Sequence, residues 1–391
     1  MTRARTFEPS YGAKRAAWRA AATARSEPGA RDSLRSRALR VLAQAARGAL
    51  FPDPQVLWQP GAQAALALRL ARKKDDVVLI SGPPFSQFLL APLARAGGLG
   101  VVLDYRDEWI TLRSAYEMGK SSIARALGDP VESVLLRRAH AVTTATDEFR
   151  SNLIARFPFL DAARVFAVPN GYDLDDFPRN LPDPPGDRFT VTYAGTVFAL
   201  TSARGLLGAV RRLHARSPEL ARLLRLRFLG RVVETELDAF DGVEALGVER
   251  AGYVPHAQVV RELAASQMTL CLLDDVPGAE RIYPAKVFEL MVLGRPVLTL
   301  AAADTALARL VEQHRLGPRV HPRDEEAIAT LLRERLRAFR DNGNRAESWQ
   351  NGARTTRGLD RFDRRALAGE MADILRGAAS SARRSRSWPS S

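Results

Sequence analysis

Ile282–Leu300, IYPAKVFELMVLGRPVLTL, reads as a loop, a helix opened by Pro284, a turn at Gly294–Arg295 and a buried strand from Pro296. Proline suits a helix start and glycine a helix end. The unbroken apolar run after the turn fits a strand covered on both faces. Lys286 and Glu289 lie three apart, so they share one helix face near its N-terminus. Such an end attracts anions through free backbone N–H groups and the positive end of the macrodipole. Val287, Phe288, Leu290 and Met291 make the helix mainly buried, and a carboxylate on a buried helix needs a partner. Two readings stand: a site for a ligand with both phosphate and sugar hydroxyls, or a solvated helix pair worth about 0.2–0.5 kcal/mol.

Outward from this segment the chain alternates strand and helix. Strands are expected at Val77–Ser81, Gly100–Tyr105, Ala141–Ala145 and Val165–Val168. Helices fall at Ser86–Ala96, Ile123–Arg138 (interrupted near Gly128–Pro130) and Glu148–Arg156. A Pro/Asp-rich linker, Asp173–Asp187, breaks the pattern. The alternation restarts with strands at Phe189–Ala194, Leu224–Leu229, Arg250–Val254, Met268–Leu273 and Val297–Leu300. Helices Ala203–Arg216, Glu234–Phe240, Ala257–Ala265 and Ala285–Leu293 intervene. Repeated βα units mean parallel sheets, so the fold class is α/β with two Rossmann-like domains. The expected division is a basic extension over 1–50, a first domain over 51–180, a second over 181–376 and a disordered basic tail over 377–391. The last helix is placed at Phe362–Leu375.

The 391 residues suffice for two such domains, and 46% hydrophobic content is that of a globular chain. The single cysteine, Cys271, lies in an apolar run and reads as a buried strand residue, which excludes a disulfide framework or a cysteine-based zinc site. The five histidines show no metal-ligand spacing, so no metal is expected. No apolar run approaches the roughly 20 residues of a membrane span. The Arg-rich start lacks an apolar signal core, so a cytoplasmic protein, soluble or peripherally bound, is expected.

The net charge of +14 sits at the ends. Residues 1–50 hold 11 Lys/Arg against 3 Asp/Glu, and residues 375–391 hold four Arg and no acid. That distribution argues against a nucleic-acid groove in the folded body and favours ends that touch an anionic membrane surface. Leu34, Ala38, Val41, Leu42, Ala45 and Ala46 form an apolar stripe beside Arg35, Arg37, Arg40 and Arg47. This amphipathic helix either packs on the body or lies on a membrane.

Several motifs, taken in order, resemble one family. They are Ser81-Gly82-Pro83-Pro84-Phe85-Ser86, Asp104-Tyr105-Arg106-Asp107-Glu108-Trp109, Pro169-Asn170-Gly171-Tyr172-Asp173, Tyr193-Ala194-Gly195-Thr196, Gly252-Tyr253-Val254-Pro255-His256 and the opening segment. Across roughly residues 51–376 the chain resembles the family 4 glycosyltransferases, whose GT-B fold has two facing Rossmann domains. The resemblance implies transfer of a sugar from a nucleotide-sugar, with retention at the anomeric carbon and without a tightly bound metal or other cofactor. The expected partners are a nucleotide-sugar donor and a glycan or lipid-linked acceptor, in surface polysaccharide or glycolipid synthesis.

The same resemblance assigns roles. Lys286 matches the family's diphosphate-facing cation and Glu289 its ribose acceptor. Gly195 and Thr196 would bring backbone to the diphosphate, and Arg204 and Arg231 are added by neighbourhood. Glu280, Tyr283 and Pro284 complete the donor side. On the cleft or acceptor side stand Ser81, Gly82, Asp104, Arg106, Asp107 and Asn170. The charged residues of Asp104–Trp109 either position a substrate or form a buried Arg106–Asp pair that fixes the loop. Asn170-Gly171 reads as hinge geometry, since both residues tolerate left-handed backbone.

Three departures from the family pattern are visible. The chain opens with MTRARTFEPSYGAKRAAW rather than with a strand and a Gly-rich loop. The second glutamate of the family's spaced pair would fall on Arg281, with Glu280 one residue off. No histidine lies in Asp104–Trp109, so no catalytic histidine is assigned. The first departure motivates an alternative, a catalytically degenerate GT-B module serving as a binding or scaffold subunit.

Overall fold

The computed structural model describes residues 50–109, 122–178, 180–342 and 358–387. The basic helix expected over 34–46 lies outside them. The chain divides into two compact units. The first runs to Thr144 and adds Leu153–Phe166 and the residues from Ala372; the second comprises Ala145–Asn152 and Ala167–Met371. The boundary therefore falls near Ala167 rather than at 180, because Tyr172 and Phe177 are buried in a core of the second unit.

In chain order the first series is α1 (Gln59–Ala71), β1 (Val77–Gly82), α2 (Ala91–Ala96), β2 (Gly100–Tyr105), α3 (Ser122–Leu136), β3 (Ala141–Thr144), α4 (Asp147–Arg156) and β4 (Val165–Ala167). The four strands form one sheet in the order β1-β2-β3-β4, with β1/β2 and β2/β3 parallel. Its register sets Ser81 beside Asp104 and Asp104 beside Thr143. An aromatic group packs near this end: Phe85 stacks on Trp109 at 4.9 Å, and Phe88 meets Tyr105 edge-on at 4.7 Å. Gly82 lies beneath it, where a Cβ would come within 3.0 Å of Phe85 and 3.1 Å of Phe88.

Two expected helices differ. Ser86–Ala96 splits into a 3-10 turn over Phe85–Leu90 and α2, since Pro92 opens a new helix rather than continuing one. The expected interruption near Gly128–Pro130 is absent; α3 runs on with Pro130 inside it. Arg156 spans the proline, donating to Asp129 at 3.1 Å and to the fully buried Glu132 at 2.9 Å.

The second series is β5 (Phe189–Ala194), α5 (Arg204–Arg216), α6 (Pro218–Ala221), β6 (Leu224–Leu229), β7 (Val248–Gly252), α7 (His256–Ala264), β8 (Met268–Leu272), α8 (Lys286–Leu293), β9 (Val297–Leu300), α9 (Ala306–Gln313), β10 (Arg319–Val320), α10 (Glu325–Asn342) and α11 (Arg364–Ser387). Its strands make one parallel sheet, β10-β9-β8-β5-β6-β7. Both faces are covered, as the apolar strands require. Met268, Leu270 and Leu272 of β8 join a core with α5 and α10, while Cys271 and Leu273 join one with α7, α8 and α9. Cys271 is thus the buried strand residue expected, and burial pushes its thiol up to about 12. Glu234–Phe240 is helical but of 3-10 type.

The tail differs most. The final helix continues to Ser387 rather than ending at Leu375, so the part of the expected disordered tail that is described is ordered. Ala378 and Ala382, four apart, are buried. A Cβ on Gly100 would come within 2.7 Å of the Ala378 backbone. Arg383 pairs with Asp76 at 2.7 Å. Small residues on one face let the helix dock closely, which brings Arg383 to Asp76.

Candidate functional site

The carboxyl ends of the second sheet gather the candidate residues of that unit. Helix α8 begins after Ala285, and no side chain caps it; of its first N–H groups, that of Val287 is already given to the Pro284 carbonyl. Gly294 ends it in the left-handed conformation at φ 66°, as a glycine there allows. Glu289 is 7% exposed, and its carboxylate receives the Lys286 ammonium at 3.0 and 3.2 Å. The Nε2 of His256 stands 3.3 Å from the same carboxylate, and Nδ1 stands 3.9 Å from Asp176. Asp176 in turn lies 3.6 Å from Arg364. The partner that a buried carboxylate needs is therefore already supplied from within the chain.

His256 lies in the Gly252–His256 motif, but nothing in the sequence alone assigns it a role. It opens α7, and its contact with Glu289 crosses 33 residues. Tyr253, on the same β7–α7 connection, is 91% exposed and also carried no assignment. A tyrosine that bare after a strand's carboxyl end was visible as a type but not as a surface.

Gly195 and Thr196 follow β5. The Gly195 N–H donates to the Leu229 carbonyl at 2.9 Å. Gly230, at φ 133°, passes so close that a Cβ on it would sit 2.2 Å from the Gly195 oxygen. This pair of glycines packs two strand ends together, and Gly230 was missed in the sequence. The Thr196 carbonyl accepts hydroxyls from Tyr193 at 3.0 Å and Thr201 at 2.6 Å, which fixes the loop while the Thr196 side chain stays exposed. Burial pushes the Tyr193 phenol well up, so it remains a neutral donor.

Other donor-side candidates are engaged elsewhere. Arg204 donates to Asp238 at 2.6 and 2.8 Å and to the Thr235 carbonyl at 2.6 Å, with Glu236 at 3.5 Å. The Asp238 hydrogen bonds hold its guanidinium above the usual range. Arg231 is exposed, and its carbonyl accepts from Val197 at 2.8 Å. Glu280 accepts the Gly278 N–H at 2.9 Å and pairs with its neighbour Arg281. Tyr283 meets Phe288 edge-on at 5.9 Å; burial, then Glu148 and Asp147, push its phenol up to about 12. The Pro284 carbonyl accepts the Val287 N–H at 2.9 Å and so starts the helix.

In the first unit, Asp104 is buried and accepts from Ser81 at 2.6 Å, Thr143 at 2.7 Å and Arg106 at 3.4 Å. An Arg106–Asp104 pair is present with Arg106 only half-buried, and the Ser81 and Thr143 hydroxyls join Asp104 to the strands on either side. Asp107 is exposed. The Gly82 carbonyl accepts the Arg106 N–H at 2.9 Å. Asn170 falls in the second unit. Neither Asn170 nor Gly171 has positive φ, so the hinge reading needs correction. Gly171 is required instead by close approach: a Cβ there would sit 2.2 Å from the Phe362 carbonyl, beside the Tyr172–Asp363 bridge.

Two α/β units, one with a six-stranded parallel sheet whose carboxyl ends carry a cation, a carboxylate and an uncapped helix start, define the GT-B fold. Residues 8–171 match the family model of the glycosyl transferase 4-like domain. The chain is similar to Anabaena HepE in complex with UDP, at 16% identity over 82% of this chain and 83% of that one, with a TM-score of 0.57. It is similar to the UDP-forming α,α-trehalose-phosphate synthase of Burkholderia vietnamiensis, at 13% identity, 88% and 81% coverage and TM-score 0.57. The N-terminal domain of Candida albicans trehalose-6-phosphate phosphatase gives 12% identity, 81% and 73% coverage and TM-score 0.56. Likeness at these identities establishes the fold. No curated protein matches the chain in sequence.

Proposed function

We propose that this chain is a retaining glycosyltransferase that moves a sugar from a nucleotide-sugar to a glycan or lipid-linked acceptor, in surface polysaccharide or glycolipid synthesis. The observation that carries the reading is the Lys286–Glu289–His256 group at the uncapped start of α8. The match of residues 8–171 and the UDP bound by the Anabaena relative support it.

In this reading the anomeric carbon–oxygen bond to the diphosphate breaks, and the electron pair leaves on the diphosphate. An acceptor hydroxyl bonds to the same face of that carbon, and its proton passes to the departing phosphate oxygen. Lys286 and the first N–H groups of α8 meet the developing charge, each such donor being worth about 3–4 kcal/mol. Glu289 exchanges part of its contact with Lys286 and His256 for the ribose hydroxyls. Tyr253 offers an exposed ring for the base. No metal takes part. The basic ends hold the enzyme at an anionic membrane surface.

The test is a thermal-shift panel of UDP, GDP, ADP, TDP and their sugar conjugates. A ligand at a hundred times its dissociation constant stabilises by about 2.7 kcal/mol. We expect one nucleotide to do so, and Lys286→Ala to weaken it at least tenfold. No shift with any nucleotide overturns the donor assignment. Binding without turnover on any acceptor instead assigns the chain to the degenerate, scaffolding class.

A further inference from the structure

The amino ends of β3 and β4 border a cavity of about 300 Å³, lined in part by Arg137, His140, Phe159, Asp161 and Arg164. It lies away from Ser81 and Asp104, which stand near the carboxyl ends of β1 and β2. Arg137 and Arg164 line it, and Arg95 reaches the Nε2 of His140. Arg138 is not on the lining, but it stands near enough to Arg95 to add a fourth cation to the local field. Among the described residues none of these four arginines is ion-paired, whereas Arg156 and Arg204 each hold two carboxylates. The one acid on the lining, Asp161, accepts the Ala163 N–H at 2.9 Å.

The polar groups that face the cavity are donors in excess. The Nδ1 of His140 accepts the Val101 N–H at 2.9 Å, so the neutral ring carries its proton on Nε2. That proton points at the Arg95 guanidinium: two donors meet with no acceptor between them. The Arg137 guanidinium lies over the Phe159 ring at 3.7 Å and donates no hydrogen bond among the described residues. Arg164 gives Nε to His140 O and Nη2 to Ala139 O, both at 2.7 Å, which leaves Nη1. Burial, then Arg95 and Arg164, hold the His140 ring near 4, so at neutral pH it stays an uncharged donor. The carbonyl end of α3 opposes an anion by about half a charge, less than the four cations supply.

We propose that this cavity binds a small phosphate ester through Arg137, Arg164, Arg95 and the Nε2–H of His140. A doubly charged oxyanion answers several unpaired guanidinium groups at once. The volume falls at the lower end of small-molecule sites, roughly 300–1,000 Å³, and leaves room for a short organic body against Phe159.

Titration calorimetry with glycerol 3-phosphate at fixed ionic strength tests this, together with pelleting on vesicles that contain phosphatidic acid. The first probe represents a free metabolite and the second a lipid headgroup. Wild type and Lys286→Ala should bind one of the two probes equally well, which separates this cavity from the donor site. The exposed pair R137Q/R138Q, its fold checked by circular dichroism, should weaken binding at least tenfold. Absence of binding to both probes, binding unchanged in R137Q/R138Q, or loss in Lys286→Ala overturns the proposal.

Discussion

At the residue scale, pairing decides which charges remain for a ligand. Lys286 and Glu289 were legible because three residues along a helix fix their approach. His256 and Arg204 were not, because their partners lie 33 and 34 residues away and meet them only when strands align. Asp104 was visible as a strand-end carboxylate, but the register that sets it between Ser81 and Thr143 was not. His140 gives a pH prediction. Its folded value is lowered to about 4, by burial first and then by Arg95 and Arg164. An unfolded histidine titrates near 6.5, so between these values the unfolded chain binds more protons. Stability therefore carries no penalty above pH 6.5, loses ground as pH falls towards 4, and bears the full cost, on the order of 3 kcal/mol, below it. His140→Asn keeps an acceptor for the Val101 N–H but cannot titrate. From pH 7 to 4.5 its urea midpoint should fall less than that of wild type, by an amount equivalent to about 2–3 kcal/mol. Parallel profiles would show that His140 does not control this range.

At the element scale, periodicity located most strands within a residue or two, and close packing decided what it could not. The run Phe189–Ala194 and the segment Val297–Leu300 need only apolar continuity. The end of α11 needs a surface: Arg and Ser residues beyond Leu375 look solvated until Ala378 meets the start of β2 and Ala382 is buried. Pro130 likewise reads as a break until Arg156 bridges Asp129 and Glu132 on either side of it. Gly100 is where this packing is most exposed to change. A methyl group there meets the Ala378 carbonyl carbon and oxygen at 2.7 Å, and helix backbone yields less easily than a side chain. Gly100→Ala should cost about 1–3 kcal/mol, seen as a lower denaturation midpoint. Truncating the chain before Ala378 should make the same substitution nearly neutral, since the obstructing backbone is gone. Equal losses in both backgrounds would place the strain in β2 itself.

At the scale of the whole molecule, charge is separated from fold. The ends hold +12 of the +14, and the two cores are built from neutral apolar residues. Among the described residues no helix is long and apolar enough to cross a membrane. Near an anionic surface each Lys or Arg contributes about 1 kcal/mol, and the attraction fades within a Debye length of about 10 Å at 0.1 M salt. Arg35, Arg37, Arg40 and Arg47 lie at helical spacing beside an apolar stripe. Replacing the four by glutamine keeps that stripe and removes the charge, which divides the two readings of the segment. A membrane role predicts that vesicles rich in phosphatidylserine bind the wild type, release it as salt rises, and bind the quadruple variant at least tenfold more weakly. A packing role through the retained stripe predicts that the substitutions leave both vesicle binding and the melting temperature unchanged. Because residues 8–171 match one domain family, neutralising charge in place is a cleaner test than deleting the segment, which would cut into the matched domain.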